Sequence, residues 1–257
     1  MEENKAKVIE QFSKNANSYV TSPSHAEGKD LSMIRDWLNP GRNWIVLDIA
    51  TGGGHVAKTI SPDVKQVFAT DLTKKMLQNT ANYLKNYENI YFVLADAENL
   101  PFLDDTFDAV TCRIAPHHFP RPDLFIKETS RVLKPGGKFL LIDNITPEDP
   151  ELAKYMNGFE KLRDNSHVKC LSASKWEQLT QEHQLIKQKN NIHKKTFPFS
   201  NWVRRTTDKA EERKRVKDFI LNGSSKALNY FRIEQKDGEI TSLKVDEMMA
   251  LFEKQHQ

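Results

Sequence analysis

Three aspartates and one glycine-rich turn are the residues whose types and spacing could do chemistry. Asp48 stands just before Thr51-Gly52-Gly53-Gly54, and Asp71 and Asp96 follow, each roughly one strand–helix unit further on. A strand that runs into such a turn and then a helix brings bare backbone close to a ligand. The turn alone does not choose the ligand, because Gly52-x-Gly54-x-x-Ala57 also matches the dinucleotide fingerprint. Asp71 is placed to accept hydrogen bonds from both ribose hydroxyls of a nucleoside, which NAD and S-adenosylmethionine both present. Asp96-Ala97 puts a carboxylate where it can accept the exocyclic amine of adenine. Ligands of open parallel sheets bind at the carboxyl edge, so the three aspartates in this order point to one nucleoside-bearing ligand.

The elements that must position them are legible as short apolar runs with helical patterns between them. The runs are Trp44–Ala50, Gln66–Leu72, Tyr91–Ala97, Phe107–Ala115 and Lys138–Ile145. Their near-continuous apolar character fits strands buried on both faces, as in a parallel sheet. Helical patterns over Gly54–Ile60, Lys74–Lys85 and Asp123–Leu133 alternate with them, and Lys134-Pro135-Gly136-Gly137 ends the last. Ahead of this core, Ala6–Tyr19 and Lys29–Leu38 read as helices parted at Thr21-Ser22-Pro23-Ser24. The composition shifts near Thr146-Pro147. Beyond it Pro150–Asp164, Ser174–His183 and Ser200–Asn222 read as helices and Gln184–Phe197 as a strand. Lys236-Asp237-Gly238-Glu239 is a hairpin signal between Tyr230–Gln235 and Ile240–Val245. Val245–Lys254 fits helix or strand on its own pattern. The expected organisation is a single domain: N-terminal cover helices over 1–43, a cofactor-binding core over 44–149, and an acceptor cover with the final strands over 150–257.

The blocks Val46–His55 (VLDIATGGGH), Ala69–Leu77 (ATDLTKKML), Leu94–Val110 (LADAENLPFLDDTFDAV) and Arg131–Asp143 (RVLKPGGKFLLID) resemble the class I S-adenosylmethionine-dependent methyltransferases. They look in particular like the ubiquinone/menaquinone-biosynthesis type. The similarity runs from about Val46 to Asp149, and more weakly back to Phe12 and forward through Lys161–Val168. It implies an α/β fold: a doubly wound, Rossmann-like, mostly parallel seven-stranded sheet with helical cover segments. Its last strand is reversed and inserted beside the fifth, which would make Met248–Glu253 that strand. It implies S-adenosyl-L-methionine as cofactor, with Asp48 and the Gly52–Gly54 turn holding the amino-acid portion. By the same resemblance Asp71 takes the ribose, Leu72 lies beside the adenine, Asp96-Ala97 recognises the adenine edge, and Arg113 lines the methionine end. An aromatic closes over the cofactor in many relatives, and Tyr19 in the N-terminal helices fits either that role or ordinary packing. Ala50 departs from the pattern, which usually has glycine there, so cofactor affinity is expected to be adjusted and not lost.

Methyl transfer from a sulfonium needs alignment and exclusion of water more than covalent help. A base is needed only where the acceptor must lose a proton. His117-His118, just past the fourth strand, and His167, just past Arg163-Asp164, are the candidates, with His117 nearest the acceptor and His167 approaching from the cover. Each also fits a hydrogen-bonded structural role. Arg163 and Asp164 are placed to pair on a helix end, and Trp176, Phe197, Phe199 and Trp202 fit either an apolar acceptor pocket or core. Leu185–Lys217 holds 11 Lys and Arg against 3 Asp and Glu, which suits a solvated face or an anion-binding patch. Glu2–Leu38 and Glu151–Asn222 carry charged helical patterns joined by polar connections, and both are expected to form a mobile cover. The histidines lack metal-ligand spacing, and no metal is expected.

At 257 residues the chain can bury one substantial α/β core with a lid. A formal net charge of +3 is too small to imply nucleic acid or membrane as partner. No apolar run approaches the ~20 residues of a membrane span, and Met1–Val20 lacks the apolar centre of a signal peptide. Two cysteines, Cys112 and Cys170, without a CxxC pair, read as reduced thiols of a soluble, cytoplasmic protein. The leading expectation is methyl transfer to a small-molecule O-, C- or N-acceptor. An NAD-dependent oxidoreductase leaves Asp48 and Asp96-Ala97-Glu98 unexplained. An RNA methyltransferase rests only on the basic stretch, and a non-catalytic S-adenosylmethionine-binding protein would share every cofactor residue.

Overall fold

The computed structural model describes residues 2–21 and 29–256, with the side chains at 2, 15–21 and 29 outside the description. The expected helix break at 21–24 falls largely outside the described residues. The chain begins with α1 (Glu2–Thr21) and α2 (Lys29–Leu38), then alternates β1 (Ile45–Ile49), α3 (His55–Ile60), β2 (Gln66–Asp71), α4 (Lys74–Tyr83) and β3 (Ile90–Leu94). β4 (Phe107–Arg113), α5 (Pro122–Val132) and β5 (Leu133–Ile145) continue the alternation. Next come α6 (Pro150–Arg163), α7 (Ala173–Glu182) and β6 (Leu185–Pro198). Three short helices, α8 (Phe199–Arg204), α9 (Ala210–Leu221) and α10 (Ser225–Tyr230), lead to β7 (Glu234–Lys236) and β8 (Glu239–Lys254).

The sheet runs in the order β3-β2-β1-β4-β5-β8-β6, with β7 pairing to β8. β1 to β5 are parallel, and β8 runs antiparallel between β5 and β6. Alternation along each strand divides the core between two faces. Leu47, Val110 and Leu141 join one buried cluster with Phe125 of α5 and Trp176 of α7. Val46, Val67 and Leu140 join another with Ile34 of α2 and Val56 of α3. Helices cover both faces, as the apolar runs require.

Two expectations change in detail. The sheet has eight strands, because the hairpin adds β7. Asp237 and Gly238 at its tip have φ of 52° and 76°, the pair of positive values that a tight two-residue hairpin needs. Ser200–Asn222 is two helices and not one. Thr207 donates its hydroxyl to the Val203 carbonyl (2.6 Å), and Arg213 donates to the carbonyls of Thr207 and Asp208. Side chains that bond the backbone in this way compete with continued helix. α6, α8, α9 and α10 close over a third apolar cluster around Met156, Phe159, Trp202, Val216 and Phe231.

Candidate active site

β1 delivers Asp48 to the sheet edge, 1% exposed. Its carboxylate accepts the hydroxyls of Thr51 (2.6 Å) and Thr111 (2.7 Å), so it ties the turn to β4. Burial pushes its pKa up to about 6, and the two hydroxyls pull back only part of that. The turn itself is left-handed at Ala50 (φ 52°), Gly52 (52°) and Gly54 (76°). At Gly54 a Cβ would stand 2.5 Å from Thr80 Cγ2 and 2.7 Å from Leu84 Cδ1, so glycine lets the turn press onto α4. Asp71, at the end of β2, accepts the Gly52 N–H (3.1 Å) and the Thr73 N–H (2.8 Å), and burial raises its pKa. Asp96 accepts the Glu98 N–H (2.9 Å) and ion-pairs at 2.5 Å with Lys5 of α1, which also reaches Glu98 (2.6 Å).

These groups surround a cavity holding about 1040 Å³ of empty space, part of it open to solvent. Asp48, Ala50, Gly52, Asp71 and Leu72 line one side. Asp96, Ala97 and Arg113 line another, and Lys5, Val8 and Phe12 of α1 form the roof. Gly54 does not line it and serves packing instead. Tyr19 lies on α1, with its side chain outside the described residues. Arg113 grips Asp30 of α2 through Nε (2.5 Å) and Nη2 (3.1 Å), the two side chains being 7% and 11% exposed. Sequence reasoning missed Asp30 and Lys5, because pairings across 83 and 91 residues leave no local trace.

A second cavity, of about 680 Å³, shares Phe12, Ile114 and His118 with the first. Ile114 has φ 52°, an outlier for a β-branched residue, and its N–H is held by the Ile142 carbonyl (2.7 Å). His117 and Asn144 line one part of the second cavity, Arg163, Asp164 and Thr206 another, and Lys195, Phe197, Trp202 and Arg205 the rest. Of the four candidate pocket aromatics, Phe197 and Trp202 are there. Trp176 packs in the sheet core and Phe199 in the cover core.

The histidines divide by their partners. His117 Nδ1 lies 2.6 Å from Asp143 Oδ1, and its backbone N–H donates to Oδ2 (3.0 Å). Burial disfavours its imidazolium, but the charge and hydrogen bond of Asp143 outweigh burial and raise the pKa. His118 Nδ1 donates to the Ser166 carbonyl (3.1 Å); burial, then the charge that His117 carries once protonated, push it down to about 3. It therefore stays neutral with Nε2 as an acceptor. His167 lines neither cavity. Its Nε2 donates to Asn157 Oδ1 (2.9 Å), and burial with the neighbouring cations pushes it down to about 2. Arg163 and Asp164 do not pair with each other: Arg163 binds Glu160 (2.8 Å) and lies over the Trp202 ring, and Asp164 accepts from Ser166. Asp143 and Asn144 were missed because they sit inside an apolar strand run whose pattern does not single them out.

Five lysines of the basic stretch pair with carboxylates. Lys187 pairs with Glu177, Lys194 with Asp246, Lys195 with Glu247, Lys214 with Asp218 and Lys217 with Glu239.

A glycine turn between β1 and α3, carboxylates at the ends of β1 and β2 and just beyond β3, and a reversed strand beside β5 define the class I methyltransferases that use S-adenosylmethionine. The model of a family described as a methyltransferase domain matches residues 47–141, and the chain belongs to this family. It is 38% identical over 226 residues to the uncharacterized methyltransferase YcgJ of Bacillus subtilis (strain 168), spanning 86% of this chain and 88% of that protein. The crystal structure of YcgJ superimposes with a TM-score of 0.86 over 88% of this chain and 98% of that one, at 33% structure-aligned identity. The ubiquinone/menaquinone biosynthesis C-methyltransferase UbiE of Brucella suis is 34% identical over 146 residues, 54% of each chain.

Proposed function

We propose that this protein transfers a methyl group from S-adenosylmethionine to a small-molecule acceptor by in-line displacement, the cofactor in the first cavity and the acceptor in the second. The observation that carries this reading is the pair of cavities at the sheet edge sharing Phe12, Ile114 and His118. The residues present suit the cofactor. The glycine turn keeps backbone exposed, and the Asp71 carboxylate is fixed at the cavity by the Gly52 and Thr73 N–H groups. Asp71 would hold the ribose, Asp96-Ala97 the adenine edge with Leu72 beside it, and the turn, Asp48 and Arg113 the amino-acid end. When bound, S-adenosylmethionine supplies an activated methyl on a sulfonium. The protein orients the acceptor, excludes water under α1 and α6, and receives a proton at His117 Nε2 where the acceptor must lose one. His167 is given no part. The free, buried Cys112 and Cys170 support a cytoplasmic location. The RNA reading rests on the basic stretch alone, in which Lys187, Lys194, Lys195, Lys214 and Lys217 are each engaged by a carboxylate.

Calorimetry with S-adenosylhomocysteine and NAD side by side tests the cofactor. S-Adenosylhomocysteine is expected to bind and NAD not, and Asp71→Ala should weaken binding by at least about 1.5 kcal/mol, roughly tenfold. Preference for NAD, or an Asp71→Ala variant with parental affinity, would sink the assignment. Label from methyl-labelled S-adenosylmethionine should enter the small-metabolite fraction of a cell extract; label entering RNA alone would favour the other substrate class.

A further inference from the structure

The second cavity carries polar features that alignment of an acceptor does not by itself require. Asn144 follows Asp143, the residue that holds His117, at the end of β5. Its side-chain Oδ1 is shielded from solvent and has no hydrogen-bond partner. A buried acceptor without a donor is disfavoured, and a ligand hydroxyl would satisfy it. Elsewhere the lining carries three cations, Arg163, Lys195 and Arg205, against one carboxylate, Asp164, which is turned onto the N–H and hydroxyl of Ser166. Glu160 and Glu247 stand behind Arg163 and Lys195 as fixed partners. The Arg163 guanidinium is held flat, 4.7 Å from the Trp202 ring centre, and Arg205 lies over Phe197 at 5.6 Å. A planar guanidinium wall suits a carboxylate, and the aromatic faces suit a flat ring.

We propose that the acceptor is a small aromatic hydroxy acid, its carboxylate at Arg163, Lys195 and Arg205 and its hydroxyl at Asn144 and His117. The proposal rests on the cofactor reading above. In the reaction a lone pair of the hydroxyl oxygen forms the new O–CH3 bond, and the S–CH3 bond breaks with its pair returning to sulfur. The hydroxyl has a single proton: in the resting complex it is donated to Asn144 Oδ1, and in the reaction it turns to His117 Nε2 and passes there. Positive charge thus moves from the sulfonium to an imidazolium whose other nitrogen faces Asp143, 1% exposed. Asp143 is a positioning residue in this step: it fixes which nitrogen of His117 is open to the acceptor.

The test uses the full chain saturated with S-adenosylhomocysteine and titrated with the three monohydroxybenzoates, benzoate and phenol. At least one monohydroxybenzoate should bind about tenfold more tightly than both benzoate and phenol. Asn144→Ala should erase the advantage over benzoate, and Arg205→Ala the advantage over phenol. With labelled S-adenosylmethionine the tightest binder should yield its methyl ether, with turnover lost in His117→Asn at little change in binding. A flat ranking of the probes, or selectivity that survives in both variants, overturns the proposed acceptor class. A tight binder that is not methylated, or is methylated equally by His117→Asn, overturns the placement of its hydroxyl. Failure of S-adenosylhomocysteine itself to bind would instead defeat the cofactor reading, and this proposal with it.

Discussion

Ala50 sits at φ 52°, where a side chain costs roughly 1 kcal/mol or more and glycine costs little. Ala50→Gly removes that strain but frees the unfolded chain, so the net expected gain is about 0.5 kcal/mol, or a rise of roughly 2 °C in the melting temperature. A melt that falls would show that the alanine methyl makes a contact worth more than the strain. Asp48 gives a second prediction. Its folded pKa of about 6 lies above the ordinary 3.8, so its contribution to stability is fully present below the unfolded value and is lost as pH rises through the folded one. Asp48→Asn should therefore gain about 2 kcal/mol on the parent between pH 4 and pH 7, as measured by urea unfolding at both values. A parent–variant difference that does not move with pH would mean that the carboxylate ionises freely. Both residues were legible in the sequence as members of one turn. Their strain and burial were not, because these follow from the threonines and helix packed around them. His118 shows the same limit from another side: it stands beside His117 in sequence, yet their partners, Asp143 for one and the Ser166 carbonyl for the other, set them apart.

Among the elements, α1 has the most direct hold on the cofactor cavity. Its Lys5 bridges Asp96 and Glu98, with Val8 and Phe12 completing the roof. The helix must part from that edge for a nucleoside ligand to enter or leave. Lys5→Met keeps the aliphatic stem and removes the charge. It should raise the dissociation rate of S-adenosylhomocysteine about five- to tenfold, read by stopped flow, since a partly exposed pair of this kind is worth about 1 kcal/mol. An unchanged or slower rate would mean that α1 is not the latch. The strands were legible because β1 to β5 carry almost unbroken apolar runs. β8 was not fully legible: its apolar run is equally helical in pattern, and only pairing to β5 and β6 makes it a strand back to Ser242, with β7 carrying it to Glu239. Ser200–Asn222 misled for the opposite reason. Its basic residues keep helical spacing across the Thr206-Thr207-Asp208 break, and the break comes from side-chain bonds that spacing does not register.

At the scale of the whole molecule, the two expected cover segments are built differently. The segment after β5 owns a core: Met156, Phe159, Trp202, Val216 and Ile220 are each 2% exposed or less, and Arg163 is clamped between Glu160 and Trp202. Opening it would expose that core to water. α1 is different, since none of its described side chains is buried and its attachments include an ion-pair latch, the edge-on Phe12–His118 contact and packing against α4. Regions with little buried apolar surface open at low free energy, whereas regions with their own core approach the global value. The charge patterns alone suggest that both segments move; the packing leads us to expect the motion in α1. Hydrogen exchange with and without S-adenosylhomocysteine separates the cases. Amides of α1 should gain about tenfold or more in protection, because the ligand fills the space beneath Val8 and Phe12 and closes the helix over it. Amides of α6 and α9 should change by less than about threefold, being protected already by their own cluster. Equal gains in both segments would make the cover one cooperative lid. No gain in α1 would make it a fixed roof, and acceptor and cofactor would then have to enter from the side of the second cavity.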